Sequence, residues 1–348
     1  MEINDLLHAA VDSGASDILL VSGAPPVFRV AGRLEPAPLP ALTPPDIEAL
    51  CREVLSSDQW ERLQRDKDVD FSVTVPGLGR FRFNVHWQKR SPAAAIRYLA
   101  NSIPSLEELR LPSVVERLTH LTDGLVLVTG QTGSGKSTTL AAMIDLINRR
   151  DAKHIITLED PIEYQHAHAK SLVEQREIGV DCPSFASGLR HVLRQDPDVI
   201  LVGELRDLET IRTALQAAET GHLVLATLHS SSAAGAVDRI VEVFPAEEQT
   251  QIRTHLAECL RAVLTQRLFP SADGHGRVVA VEVLVATQAI RSAIREGQGH
   301  LIPGMISTGR KHGMQTMEQA VRELALNGLV SMEVLEEWSA ERPAEVCV

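Results

Sequence analysis

Residues 130–138 read GQTGSGKST, with the apolar run LVLVT before them and the helix-like stretch STTLAAMIDLINRR overlapping their end. No other stretch restricts the fold as tightly. The match to G-x-x-x-x-G-K-[ST] is complete and stands between a strand and a helix, the context in which such a loop wraps a phosphate chain. Gly130, Gly133 and Gly135 let the backbone curl, so that the N–H groups through Gln131, Thr132 and Ser134 turn toward one point. The helix N-terminus adds its dipole there. Lys136 is placed to reach the β- and γ-phosphates, and Ser137, followed by Thr138, to ligate Mg²⁺. The expected ligands are ATP and Mg²⁺.

Such a loop needs a buried sheet behind it, and the sequence supplies one from Gly124 on. LVLVTG, HIITLED, VILVGE, LVLATLH and RVVAVEVLVA alternate with helical stretches. Near-continuous β-branched runs of this kind mark a mostly parallel sheet in an α/β core, here placed at 124–286. The first hundred residues have a different texture. A short helix and a buried strand at 18–21 lead into a second strand in APPVFRVAGRL. Residues 43–64 read as one helix from a Thr43 N-cap, with Ile47, Leu50, Val54 and Leu55 as its apolar face. VDFSVTV, GRFRFNVHWQ and AAAIRYLA follow as strands, which makes 1–100 a small α+β domain with an antiparallel sheet. Residues 101–123 read as a linker ending in a helix, and 287–348 as a helical C-terminal segment. That segment opens with AIRSAIREG, residues 289–297, where Arg291 and Arg295 form a basic stripe beside the apolar Ile290 and Ile294.

The 348 residues suffice for two domains. With 34 Lys and Arg against 46 Asp and Glu, the net charge of −12 argues against bulk nucleic-acid binding. No apolar run approaches the roughly 20 residues that span a bilayer, and the acidic start lacks the features of a signal peptide. The expected location is the cytoplasm. Cys51, Cys182, Cys259 and Cys347 are scattered without a CxxC pair, which speaks against disulfides and zinc.

Hydrolysis of ATP calls for one carboxylate near Mg²⁺ and one that orients or deprotonates the attacking water. DPDVILVGELRD ends its apolar strand in Glu204, at the carboxyl edge where ligands of such sheets gather. Glu204 is the expected general base; Asp198 precedes the strand and falls at its wrong end. TLEDPIEY ends another strand in Glu159, Asp160 and Glu163, with Pro161 as the stop. Glu163 is a candidate for Mg²⁺ or its waters, and an exposed acidic loop is the other reading. TGHLVLATLHSSSA carries His222 at the start of its strand and His229 at the end. His229 is placed to sense the γ-phosphate or pass its state to a next subunit, while His222 reads as structural. In GRFRFNVHW, Phe81, Phe83, Val85 and Trp87 share one strand face and Arg80, Arg82 and Asn84 the other. The arginine face is left at a surface, and Arg97 on the next strand joins it.

Together these stretches resemble the secretion ATPases of the type II secretion and type IV pilus superfamily. LRQDPDVILVGELRD corresponds to that family's signature stretch, and the acidic box TLEDPIEY and histidine box TGHLVLATLHSSSA stand in the expected order after the phosphate loop. ASDILL and GRFRFNV extend the resemblance over nearly the whole chain. AIRSAIREG resembles the AIRNLIRE motif of the retraction branch, with Ser292 and Ala293 as departures, and STGRKHGMQTMEQAV follows it. The zinc-binding tetracysteine insert and longer N-terminal region of assembly and secretion members are absent. The resemblance implies a hexameric ring of this chain, each copy with a PAS-like N-terminal domain and a RecA-like core. It implies a cytoplasmic motor that retracts pili, working on an inner-membrane platform protein without inserting into the membrane. In such a ring Arg80, Arg82 and Arg97 would supply charge to the neighbour's γ-phosphate. The helix in AIRSAIREG would be a docking or coupling element.

Overall fold

The computed structural model of the chain describes residues 2–30, 32–99, 102–274 and 276–340, the side chains of 339 and 340 excepted. Cys347, the end of the C-terminal segment at 341–348, and the junction residues 100 and 101 lie outside them. The chain divides into two units, Met1–Ser102 and Ile103–Val348.

The first unit runs α1 (Ile3–Asp12), β1 (Ala15–Leu20), β2 (Val27–Val30), β3 (Arg33–Pro36), α2 (Pro44–Arg52), α3 (Ser57–Asp66), β4 (Asp68–Val75), β5 (Gly79–Gln88) and β6 (Ser91–Leu99). Its described strands form an antiparallel sheet in the order β3-β2-β1-β6-β5-β4. Residues 43–64, expected as one helix, are two. Ser56 interrupts them: its hydroxyl accepts from the Gln59 N–H at 3.2 Å while the Gln59 side chain accepts from the Ser56 N–H at 2.9 Å. That reciprocal pair starts a new helix and holds Ser56 extended. Along β5, Phe81, Phe83 and Val85 are buried, and Arg80, Arg82 and Asn84 are half-buried on the opposite face.

The second unit runs α4 (Ser113–Leu118), β7 (Gly124–Gly130), α5 (Lys136–Arg150), β8 (His154–Glu159), β9 (Leu172–Glu177), α6 (Phe185–Val192), β10 (Val199–Val202), α7 (Leu208–Glu219), β11 (Leu223–Leu228), α8 (Ala233–Glu242), α9 (Ala246–Cys259), β12 (Leu260–Pro270), β13 (Arg277–Val285), α10 (Gln288–Arg295), α11 (Ile302–Thr308), α12 (Met317–Leu326) and α13 (Met332–Ala340). Its described strands lie in the order β13-β12-β7-β11-β10-β8-β9, parallel throughout except for β13. Alternation sorts the strand side chains onto two apolar layers. Leu125, Leu127, Ile200 and Val202 pack with α6 to α11, and Val126, Val128, Val199 and Leu201 with α4 and α5.

The linker boundary and two strands differ from the sequence reading. The stretch read as a linker belongs to the second unit from residue 103, with Val114, Val115 and Leu118 of α4 buried beneath the sheet. The segment from 287 opens with α10, whose Ile290, Ala293 and Ile294 are buried in the same core as β7. Strands β9 and β12 were not read at all. LVEQRE in β9 is an edge strand with mixed burial, and β12 follows α9 with no turn residue between them. No described helix is long and apolar enough to cross a membrane.

Candidate active site

Parallel register brings the site together. Thr129 of β7 pairs with Leu228 of β11, Ala226 of β11 with Val202 of β10, and Val202 with Leu158 of β8. The next residue along each strand, Gly130, Glu159, Gly203 followed by Glu204, and His229, therefore shares one carboxyl edge.

The loop 130–138 is built as its sequence requires. Gly130 has φ +141°, and a Cβ there would lie 2.4 Å from the carbonyl oxygen of Gln266, so only glycine fits against β12. Gly135 takes φ +91° at the N-cap of α5 and no side chain caps that helix. By contrast Ser184, Asp207 and Ser232 each accept from an N–H at the starts of α6, α7 and α8. The amides at the start of α5 are thus left for an anion. Lys136 Nζ donates to the carbonyls of Gly130 at 3.0 Å and Gln131 at 2.9 Å, which folds its ammonium back over the loop. Burial pushes its pKa down, opposed by the charges of Glu204 and Glu163. Both carboxylates therefore lie within electrostatic reach of the ammonium.

Ser137 is exposed and its hydroxyl makes no hydrogen bond among the described residues, and the Glu163 carboxylate, within electrostatic reach of Lys136, likewise accepts none there. An uncommitted hydroxyl and carboxylate, both hard oxygen donors, suit Mg²⁺. The Tyr164 hydroxyl lies 3.0 Å from Thr138 Oγ1, which ties the loop carrying Glu163 to α5. Glu159 is committed elsewhere: its Oε1 accepts from Thr157 at 2.6 Å and from Gln175 at 3.1 Å.

Glu204 is mostly buried, with 16% of its side chain exposed. Its Oε2 is 2.6 Å from Arg206 Nη2 and its Oε1 is 3.2 Å from His229 Nε2. The sequence reading has His229 sense the γ-phosphate or pass its state to a next subunit; the structure places it on Glu204, and adds Arg206, which that reading missed. Each oxygen of the expected base holds one partner and keeps a second lone pair open to a water. Arg206, at 66% exposure, is the freer to swing. A cleft of about 630 Å³ adjoins, walled by residues 130–132 and 229–231 with Arg239 and Glu242 of α8. Asp198 and His222 lie at the far end of the sheet, where Asp198 accepts from the His154 N–H at 2.8 Å and His222 Nδ1 meets the Ala217 carbonyl at 2.9 Å.

A second missed residue is Gln266 of β12, 2% exposed, whose Nε2 donates to Thr139 Oγ1 at 2.7 Å. It buttresses α5 from behind the loop. The apolar run around it was the available signal.

Arg80, Arg82 and Arg97 all lie in the first unit. Arg82 and Arg97 are direct cross-strand partners, and each has an acidic neighbour: Arg82 Nη2 is 3.5 Å from Asp70, and Arg97 Nε is 2.8 Å from Asp17. The face is one of mixed charge. The basic stripe of AIRSAIREG is also corrected. Arg291 is half-buried and donates to the carbonyls of Ala286 at 3.0 Å, Ala257 at 3.2 Å, Glu258 at 2.8 Å and Leu260 at 3.3 Å. It caps the C-terminus of α9, and only Arg295 of the pair is exposed.

The family described as "Type II/IV secretion system protein" matches residues 2–337. The chain is 46% identical over 333 residues to the type IV pilus retractation ATPase PilT of Pseudomonas aeruginosa, covering 96% of each chain. It is 47% identical over 308 residues to a twitching motility protein of Neisseria gonorrhoeae, covering 88% of this chain and 82% of that one. Its fold superposes on the crystal structure of the pilus retraction motor PilT with bound ADP at a TM-score of 0.92, with 47% identity and 99% of each chain covered.

Proposed function

Because the chain belongs to the type II/IV secretion system protein family, we propose that it is an ATPase motor that powers type IV pilus retraction and hence twitching motility. The carrying observation is the near full-length likeness to a retraction ATPase, with the phosphate loop and Glu204 both intact. The finer features follow as parts of the same reading. The first unit is a PAS-like domain and the second a RecA-like core; six copies form a ring, and the motor acts on an inner-membrane platform protein from the cytoplasmic face.

The loop amides and Lys136 hold the triphosphate of ATP. Ser137 and Glu163 would hold Mg²⁺, which would supply positive charge to neutralise the phosphates. Lys136 leaves the Gly130 and Gln131 carbonyls for the phosphates. Glu204 orients water and accepts its proton, while His229 stays on one oxygen and carries the state of Glu204 toward residues 230–231. Arg80, Arg82 and Arg97 reach the nucleotide of the adjoining subunit and stabilise charge that grows in the transition state.

Lys136→Ala removes the loop's one cationic side chain and should abolish ATP binding. Glu204→Gln, nearly isosteric but unable to accept the proton, should bind MgATP with kcat reduced at least about 100-fold. Near wild-type turnover in Glu204→Gln would transfer the base to the acidic loop. In cells, deletion should leave pili extended when filmed; normal retraction would refute the motor reading.

A further inference from the structure

A row of charge crosses the first sheet. Asp17 of β1 stands opposite Arg29 of β2 and Arg97 of β6, and Arg97 stands opposite Arg82 of β5. Two arginines in direct cross-strand register repel, so this row needs a carboxylate to hold it. Asp17 supplies one. Its Oδ1 accepts from Arg97 Nε at 2.8 Å, and its Oδ2 accepts from Ser16 Oγ at 2.8 Å and lies 3.7 Å from Arg29 Nε. With 17% of its side chain exposed it is a fixed acceptor, whereas the Arg97 side chain is 64% exposed.

The attachment point decides what Arg97 can do. Asp17 takes the Nε–H, on the stem side of the guanidinium, and leaves both Nη groups without a partner among the described residues. Those two groups grip a phosphate. Asp70 meets Arg82 differently, on Nη2 at 3.5 Å with both side chains well exposed. We propose that Asp17 is a positioning residue that holds Arg97 with its open nitrogens outward, for the phosphates of a nucleotide in an adjoining subunit. This rests on the ring reading given above.

The test uses the assembled full-length ring. Asp17→Asn keeps the shape and removes the charge; kcat should fall about fivefold, with KM for ATP within about twofold. Asp17→Glu should recover part of the loss, and Asp70→Asn should leave kcat unchanged. Added to Arg97→Ala, Asp17→Asn should cost nothing more, because the group it positions is already gone. If Arg97→Ala alone leaves kcat unchanged, the catalytic reading of that arginine falls and this inference with it. If Arg97→Ala lowers kcat while Asp17→Asn does not, or if the two losses add, the arginine reading stands and Asp17 is overturned. Should Asp17→Asn lower the melting temperature, Asp17→Glu decides: native stability with kcat as low as the Asn variant would overturn the role.

Discussion

In the loop after β8, His166 is half-buried, its Nδ1 is buried without a hydrogen-bond partner, and desolvation pushes its pKa down to about 4, with Asp145 pulling upward. The folded pKa lies below the ordinary 6.5, so as pH falls the unfolded chain takes the proton first. Stability from the neutral ring is complete above about pH 6.5 and is lost as pH falls through 4. Between pH 7 and pH 5 the loss from this group should be roughly 2 kcal/mol. Denaturant unfolding at the two pH values should show a drop smaller by that amount in His166→Leu; an equal drop would mean that the ring is protonated in the fold. The described cysteines titrate in the other direction. Burial pushes the thiols of Cys51 and Cys259 up to about 12, so they stay protonated and inert.

At the level of elements, α10 shows how one helix serves two purposes. Thr287 starts it, and Ile290, Ala293 and Ile294 seat it in the core. Arg291 reaches across to the end of α9, where that helix turns directly into β12 and has no glycine to close it. A guanidinium there satisfies carbonyls that the helix leaves open. Ala293, a departure from the retraction motif, is buried at 3% exposure. Arg291→Ala should destabilise the protein by about 2 kcal/mol, since charge-assisted bonds to partly buried carbonyls are lost. Arg295→Ala should change stability by less than about 0.5 kcal/mol and keep ATPase activity. Chemical denaturation and ATP turnover of both variants check this; equal stability losses would contradict the cap. If α10 docks a partner, Arg295 is the side chain that does so, and pili in Arg295→Ala cells should stay extended.

For the whole molecule, the proposed ring makes catalysis a property of neighbours. Arg82→Ala should lower turnover without weakening ATP binding by the protomer. Glu204→Gln fails in the opposite unit of the chain. Rings mixed from the two variants contain interfaces where an intact Arg82 meets an intact Glu204, and these should recover part of the wild-type rate. Turnover measured on rings verified to be mixed tests this, and no recovery would remove Arg82 from action across the interface.

What the sequence determined by itself is whatever depends on near neighbours in the chain. The glycines of 130–138, the strand before them and the helix after them specify the loop locally, and the strand-end position of Glu204 follows from one apolar run. The alternation in GRFRFNV likewise fixes which side chains of β5 face the core. Only the tertiary structure decided contacts between distant segments. His229 closes on Glu204 because β10 and β11 lie in parallel register. Gln266 meets Thr139 because β12 pairs with β7, and Arg291 meets α9 from 31 to 34 residues away. Periodicity reports which face of an element is apolar, and so made Arg291 look like a free surface charge. It carries no information on which open carbonyls another segment brings beside that face, and those carbonyls made the arginine part of the fold.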